Sequence, residues 1–328
     1  MKLKQVFRIL ALAMPAAALV PRASAQDIHA AIQLYEHGKF QGAEELFSAL
    51  SRQAPNNADL HVWLGKARLK LHRRDDAVLA FKKAVAIDSQ NGVHHLWLAR
   101  AYGEKAEHAF FLSAYSLATQ VRKEFETAAR LAPDNLDIRF DLLEFYAQAP
   151  GFLGGGKEKA MAQAEEITRL APRAGYTARA GLFARDEKWD RALQELLRAT
   201  EKFPDDPSAF LDLADFQMQR RDFQGAESGA LRAQALDSSD RRARLLLAAA
   251  RIELGRDLDE SLKALQELAA GALTERDPAF EHVYYWIGRA YLARGQKPEA
   301  RQAFQAALGF DPDHDRSKAA LAQIKRLP

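Results

Sequence analysis

The 328-residue chain has no cysteine. Disulfides, thiolate zinc sites, a thiol nucleophile and a lipid carried on Cys are therefore excluded. After residue 25 the chain also lacks any apolar run of the roughly 18 residues that mark a membrane-spanning helix. No G-x-S-x-G or H-E-x-x-H motif occurs, and the nine histidines are scattered. Those gaps give no metal site, cofactor or catalytic residue a place in the reading.

The N-terminus reads as an export signal. Lys2, Lys4 and Arg8 precede the apolar run 9–20 (ILALAMPAAALV), which is too short to span a bilayer comfortably. Ala23-Ser24-Ala25 then has the A-x-A form of a cleavage site. Residues 1–25 are expected to be a signal peptide, leaving 26–328 periplasmic or secreted, with no stable membrane insertion after cleavage. The formal net charge of +3 misleads. Lys2, Lys4, Arg8 and Arg22 belong to the signal; without them 43 basic residues face 44 acidic ones. Bulk charge thus gives no case for a nucleic-acid partner.

The stretch 281–314 is the unit from which the remainder is built: EHVYYWIGRAYLARGQKPEARQAFQAALGFDPDH, 34 residues. Tyr284, Ile287, Gly288 and Tyr291 keep helical spacing in its first half. Ala300, Phe304 and Ala307 keep it in the second, with Gly295 between the halves and Pro312 at the end. The pattern predicts two helices with small residues where they approach and a phenyl ring in the wider gap. Residues 58–91 repeat it strictly, with Leu64, Gly65, Ala77 and Phe81.

The alternation of a large residue, Leu-Gly, Tyr, Ala, Phe and Pro resembles the tetratricopeptide repeat (TPR). The resemblance covers essentially all of 26–328 and implies an all-α, right-handed superhelical solenoid of about eight helix-turn-helix repeats. Their bounds are about 24–57, 58–91, 92–135, 136–172, 173–206, 207–240, 241–274 and 281–314. The stretch 316–327, with Ala319, Ala320, Ile324 and Leu327 on one side, reads as a capping helix. Units three and four also resemble a group of exported bacterial TPR proteins of unsettled activity, through AYGEKAEHAFFLSAYSLATQVRKEFETAARLAPDN and QAPGFLGGGKEKA.

The resemblance implies that the first helix of each unit lines a concave groove that binds a protein or peptide without catalysis. Carried over by register, the lining positions are Trp63, Lys66, Trp97, Arg100, Phe140, Glu144, Leu211, Asp215, Tyr285, Trp286 and Arg289. Trp, Tyr and Arg are frequent high-energy contacts of interfaces. Asn is absent at these slots, which departs from repeats that clamp a terminal carboxylate with Lys and Asn. Two alternatives stand beside this reading. One is a glycan or cell-wall ligand stacked on the groove tryptophans. The other is a nucleotide-dependent enzyme built on 151–157, GFLGGGK, which has a phosphate-loop spacing but Glu158 where Ser or Thr is required.

Units three and four are longer than the others. The excess falls at 107–116 and 148–157, and is expected to form two loops between first and second helices. Phe110, Phe111, Leu112 and Tyr115 in one, and Phe152 and Leu153 in the other, are expected to pack on each other and offer their rim to a partner.

Overall fold

The computed structural model describes residues 25–326, which form seventeen α-helices, one 3-10 turn and no strand. Of the expected signal peptide 1–25, residues 1–24 lie outside the described residues, as does Leu327 of the expected capping helix. The helices pair as α1 (Ala25–Glu36) with α2 (Phe40–Gln53), α3 (Ala58–Lys70) with α4 (Arg74–Ile87), and α5 (Gly92–Glu107) with α6 (Phe111–Leu131). Then come α7 (Leu136–Gln148) with α8 (Lys157–Leu170), α9 (Pro172–Arg185) with α10 (Trp189–Lys202), and α11 (Pro207–Gln219) with α12 (Phe223–Leu236). The last pairs are α13 (Arg241–Leu254) with α14 (Leu258–Ala270) and α15 (Phe280–Ala293) with α16 (Lys297–Phe310), followed by α17 (Asp315–Arg326). Each helix packs on its neighbours in sequence, as a solenoid requires.

Local chemistry fixes where helices start and turn. First helices begin at side-chain caps: Asn57 accepts from Leu60 N–H, Asn135 from Ile138 N–H, and Asp240 from Ala243 N–H. Turns within units hinge on one left-handed residue at a repeating place. Gly38 and Gly295 fill it without strain, whereas His72, Glu187 and Arg221 adopt it as non-glycine residues at φ 57° to 63°; unit seven differs, with both Gly255 and Asp257 left-handed. Close approach is set by the Gly–Phe pairs. A Cβ on Gly65 would sit 2.6 Å from the Phe81 ring, and one on Gly288 2.5 Å from Phe304. Phe47, Phe81 and Phe304 are completely buried.

Units three and four lack the single-residue hinge. Unit four carries the 3-10 turn Gly151–Leu153 between α7 and α8. Unit three corrects the sequence expectation, because its extra residues form no loop. They lengthen the helices, giving α5 16 residues and α6 21, joined by 108–110 alone. The segment after Phe110 has only helix-compatible residues, with no Gly or Pro to hold it open.

The array comes round until its ends meet. Phe40 of unit one lies edge-on to Phe310 of unit eight at 6.1 Å between ring centroids, and Phe280 stacks on Phe310 at 5.0 Å. Gly38 is glycine for a second reason here, since a Cβ would fall 2.8 Å from the Phe310 ring. The connector 271–279, between α14 and α15, seals the join. Leu273 is buried there, and its N–H donates to the Glu36 carbonyl at 2.6 Å. His72 donates to the Phe310 carbonyl at 3.1 Å, and His108 Nε2 lies 2.9 Å from Asp313 Oδ2. Units one, two, seven and eight consequently share one apolar core.

Candidate partner-binding face

The face made by the first helices is strung with ion pairs between consecutive units. Arg100 on α5 reaches Asp141 on α7 at 2.6 Å, and Glu144 on α7 pairs with Arg185 on α9. Arg173 on α9 reaches Asp212 on α11 at 2.6 Å, and Arg242 on α13 bridges Asp212 and Asp215 at 2.9 and 3.1 Å. Arg289 on α15 meets Glu253 on α13 at 2.5 Å. Burial works against the Arg242 charge, but Asp212 and Asp215 outweigh it and leave its pKa raised. Several groove positions named from the sequence, Arg100, Glu144, Asp215 and Arg289, thus serve as links between units. Their charge types were readable in the sequence; their partners on the next helix were not.

The tryptophans are also engaged within the protein. Trp63 stacks on Phe47 with centroids 5.7 Å apart, and Trp97 stacks on Phe81 at 5.9 Å. The Lys66 ammonium lies 4.4 Å from the Trp63 ring centroid and 4.3 Å from that of Trp97. Arg100 adds a second cation over Trp97 at 4.8 Å. Trp63 and Trp97 are half-buried, while Tyr285 and Trp286, named as groove-lining positions, are each only 8% exposed. They are packed into the core shared by the chain's ends. Leu211 is buried, and Phe140 packs beside the unit-four core.

Two cavities open on this face. The larger, about 770 Å³, spans α11, α13 and α15 and is capped by the start of α17. Leu245, Ala249, Tyr285 and Trp286 give it an apolar floor, and Arg242 and Arg289 stand in its wall. The second, about 660 Å³, lies in the join, between Lys66, Trp97 and Arg100 on one side and Glu275, Phe280 and Phe310 on the other. Asp277 and Pro278 of the connector border both. The connector and α17 lie outside the repeat register and still supply residues to the larger cavity. Leu273, an apolar residue in a polar stretch, was the one signal that the connector docks.

Histidines are used as anchors. His61 Nε2 donates to the Pro55 carbonyl at 3.0 Å, and His95 Nε2 to that of Ser89 at 3.1 Å, tying first helices to the preceding turn. His314 is buried at the edge of the larger cavity, with Nδ1 2.7 Å from Ser317 Oγ and Nε2 3.3 Å from His282 Nδ1. Burial, then the neighbouring His282, push its pKa down. Among the described residues no three His, Cys, Asp or Glu side chains group to hold a metal.

The units three and four surface is smaller than expected. Tyr115 and Phe152 stack at 6.2 Å with planes 8° apart, while Leu153 is half-buried beside them. Phe110 stands away from the pair, 92% exposed. Phe111 begins α6, and its side chain lies outside the described residues, as does that of Leu112. In the Gly-rich turn, the Leu153, Gly154, Gly155 and Gly156 N–H groups donate to carbonyls of Pro150, Gly151, Pro150 and Tyr146. A phosphate loop needs such amides turned outward. Lys157 pairs with Asp186 at 2.6 Å, and hydrogen bonds from Lys157 and Lys188 hold the Asp186 pKa down at about 2.

A Tetratricopeptide repeat family model matches residues 30–92 and 177–241, and a second matches 256–324. No curated protein matches the chain. Among solved structures, yeast Tom70 is similar over 88% of this chain and 58% of its own, at TM-score 0.58 and 16% identity. The chain therefore spans little more than half the length of Tom70. TTC0263, a thermophilic TPR protein of Thermus thermophilus, is similar over 60% of this chain and 100% of its own, at TM-score 0.49 and 22% identity. At 16% identity the likeness to Tom70 is one of fold. Among the described residues no helix is long and apolar enough to cross a membrane.

Proposed function

The chain belongs to the tetratricopeptide repeat family, and on that premise we propose that it is an exported scaffold that binds a polypeptide partner on its first-helix face and catalyses no reaction. Repeats of this family generally act as non-catalytic platforms for protein interaction. One observation carries the reading to a place: the cavity of about 770 Å³ across three consecutive first helices, apolar below and charged at its rim. Apolar contact supplies affinity and the charged rim supplies orientation.

The rival ligands find less support. A sugar needs a free indole face, and Trp63 and Trp97 each carry a stacked phenyl ring and an overlying cation. A nucleotide needs outward amides and a free lysine, whereas the Gly154–156 amides and Lys157 are all engaged within the protein.

Export rests on Lys2, Lys4, Arg8, the run 9–20 and Ala23-Ser24-Ala25. Cleavage after Ala25 keeps Ala31 and Tyr35, the buried residues of α1, in the mature chain. The intact mass of the protein from its native compartment should start at Gln26; a chain retaining Met1 in the cytoplasm contradicts export. The binding reading is tested by crosslinking in the native envelope and mapping the linked residues. Adducts to one polypeptide, linked on α11, α13 or α15, support it, and links scattered over second helices contradict it.

A further inference from the structure

We propose that the cavity over units six to eight receives an acidic, extended polypeptide segment carrying apolar side chains. The inference rests on the scaffold reading and adds the chemistry of the partner. Three of the cavity's four carboxylates are engaged, Asp215 with Arg242, Glu253 with Arg289 and Asp277 with Arg241, while Asp315 is 96% exposed with Lys318 3.8 Å away. Three guanidinium groups are left over. Arg276 on the connector and Arg316 on α17 are exposed and make no hydrogen bond or ion pair with any described residue. Arg221, in the turn before α12, has the Phe223 ring as its contact and no carboxylate.

These cations come from three separate elements and surround one opening. On the rest of the first-helix face, Lys66, Arg100, Arg173 and Arg185 each have a carboxylate partner. Lys70 at the second cavity also lacks a carboxylate partner, but three unpaired guanidinium groups share the larger one. Guanidinium forks favour bidentate carboxylate partners, and partly desolvated sites strengthen such bonds.

The floor selects what the acidic groups must be attached to. Met218, Leu245, Ala249 and Trp286 line the same cavity as the arginines. Helices packed at about 10 Å place α11 to α15 across some 20 Å, which an extended strand spans with about six residues. A short segment alternating carboxylates with apolar side chains meets both the rim and the floor. A nucleic acid fits less well. It carries a phosphate at every step and relies on a broad positive field, and residues 26–328 are near neutral, with 43 basic and 44 acidic residues.

The test uses the mature full-length chain and an array of short peptides, graded from acidic to basic, with Leu and Phe interspersed. Wild type should be retained in proportion to acidic content. Arg276→Glu/Arg316→Glu should lose about tenfold in affinity per guanidinium for the acidic peptides. Lys83→Glu, on the exposed face of α4, should leave retention unchanged. Retention independent of charge, or an unaffected double variant, overturns the proposal. Stronger binding of a short oligothymidylate than of any acidic peptide also overturns it. The scaffold reading is separable: native crosslinks on α11, α13 or α15 that survive the double variant keep the scaffold and discard the acidic partner.

Discussion

Lys66 and Glu275 stand in the second unit and in the connector before the eighth, yet their side chains form an ion pair of 2.9 Å. The Lys66 side chain is only 11% exposed, held between two indoles, so the contact reports a fixed arrangement. It joins the two ends of the repeat array and closes one side of the groove.

That join is open to direct chemical test because the chain has no cysteine of its own. With His108→Cys and Asp313→Cys together, a short bifunctional maleimide should crosslink the monomer rapidly. Lys66→Ala should slow the reaction. No intramolecular product would mean that the array is open in solution.

Two glycine substitutions should act in opposite directions. Gly65→Ala drives a methyl group into the Phe81 ring and should destabilise the fold by about 1–3 kcal/mol. Gly181→Ala meets nothing within 4 Å inside α9 and should stabilise it by up to about 1 kcal/mol. Denaturant midpoints of the two variants decide this.

The paired rings of units three and four should be coupled. Tyr115→Ala and Phe152→Ala should show a non-additive stability loss of about 0.5–1.5 kcal/mol in a double-mutant cycle. Phe110→Ala should add independently to Phe152→Ala, because Phe110 stands free in solvent.

Acid should weaken the C-terminal units. His314 has a folded pKa below its ordinary 6.5, through burial and then His282. Between the two values the unfolded chain binds more protons, so this contribution is full above about pH 6.5 and is lost as pH falls. The His108–Asp313 contact has the opposite sign. Hydrogen bonding to Asp313 raises the His108 pKa above 6.5, so that contribution is present below about 6.5 and is lost as pH rises through the folded value. Denaturation as a function of pH should show the acid loss in wild type and a smaller slope in His314→Gln. Identical slopes would remove His314 from the account.

Much of the fold was legible because small and aromatic residues recur at fixed spacing. Gly65 opposite Phe81 and Gly288 opposite Phe304 are local pairings, set within one unit. The length of α6 is not legible in the repeat count, which marks an excess and not its conformation, although 111–131 has no helix breaker. The meeting of Phe40 with Phe310 depends on small rotations summed over eight units, which no local pattern encodes. Groove positions were legible as residue types. Arg100 and Arg289 were committed to Asp141 and Glu253 by neighbouring helices, and Arg276 and Arg316 came from segments outside the repeat register.

The most direct test of binding on the first-helix face is site-specific photo-crosslinking in the protein's native cells. A photoreactive residue replaces Met218, which lines the larger cavity, and in a separate variant Leu79, which is exposed on α4. The account predicts a discrete polypeptide adduct from position 218 and none from position 79. The same adducts from both positions, or adducts from 79 alone, would contradict it.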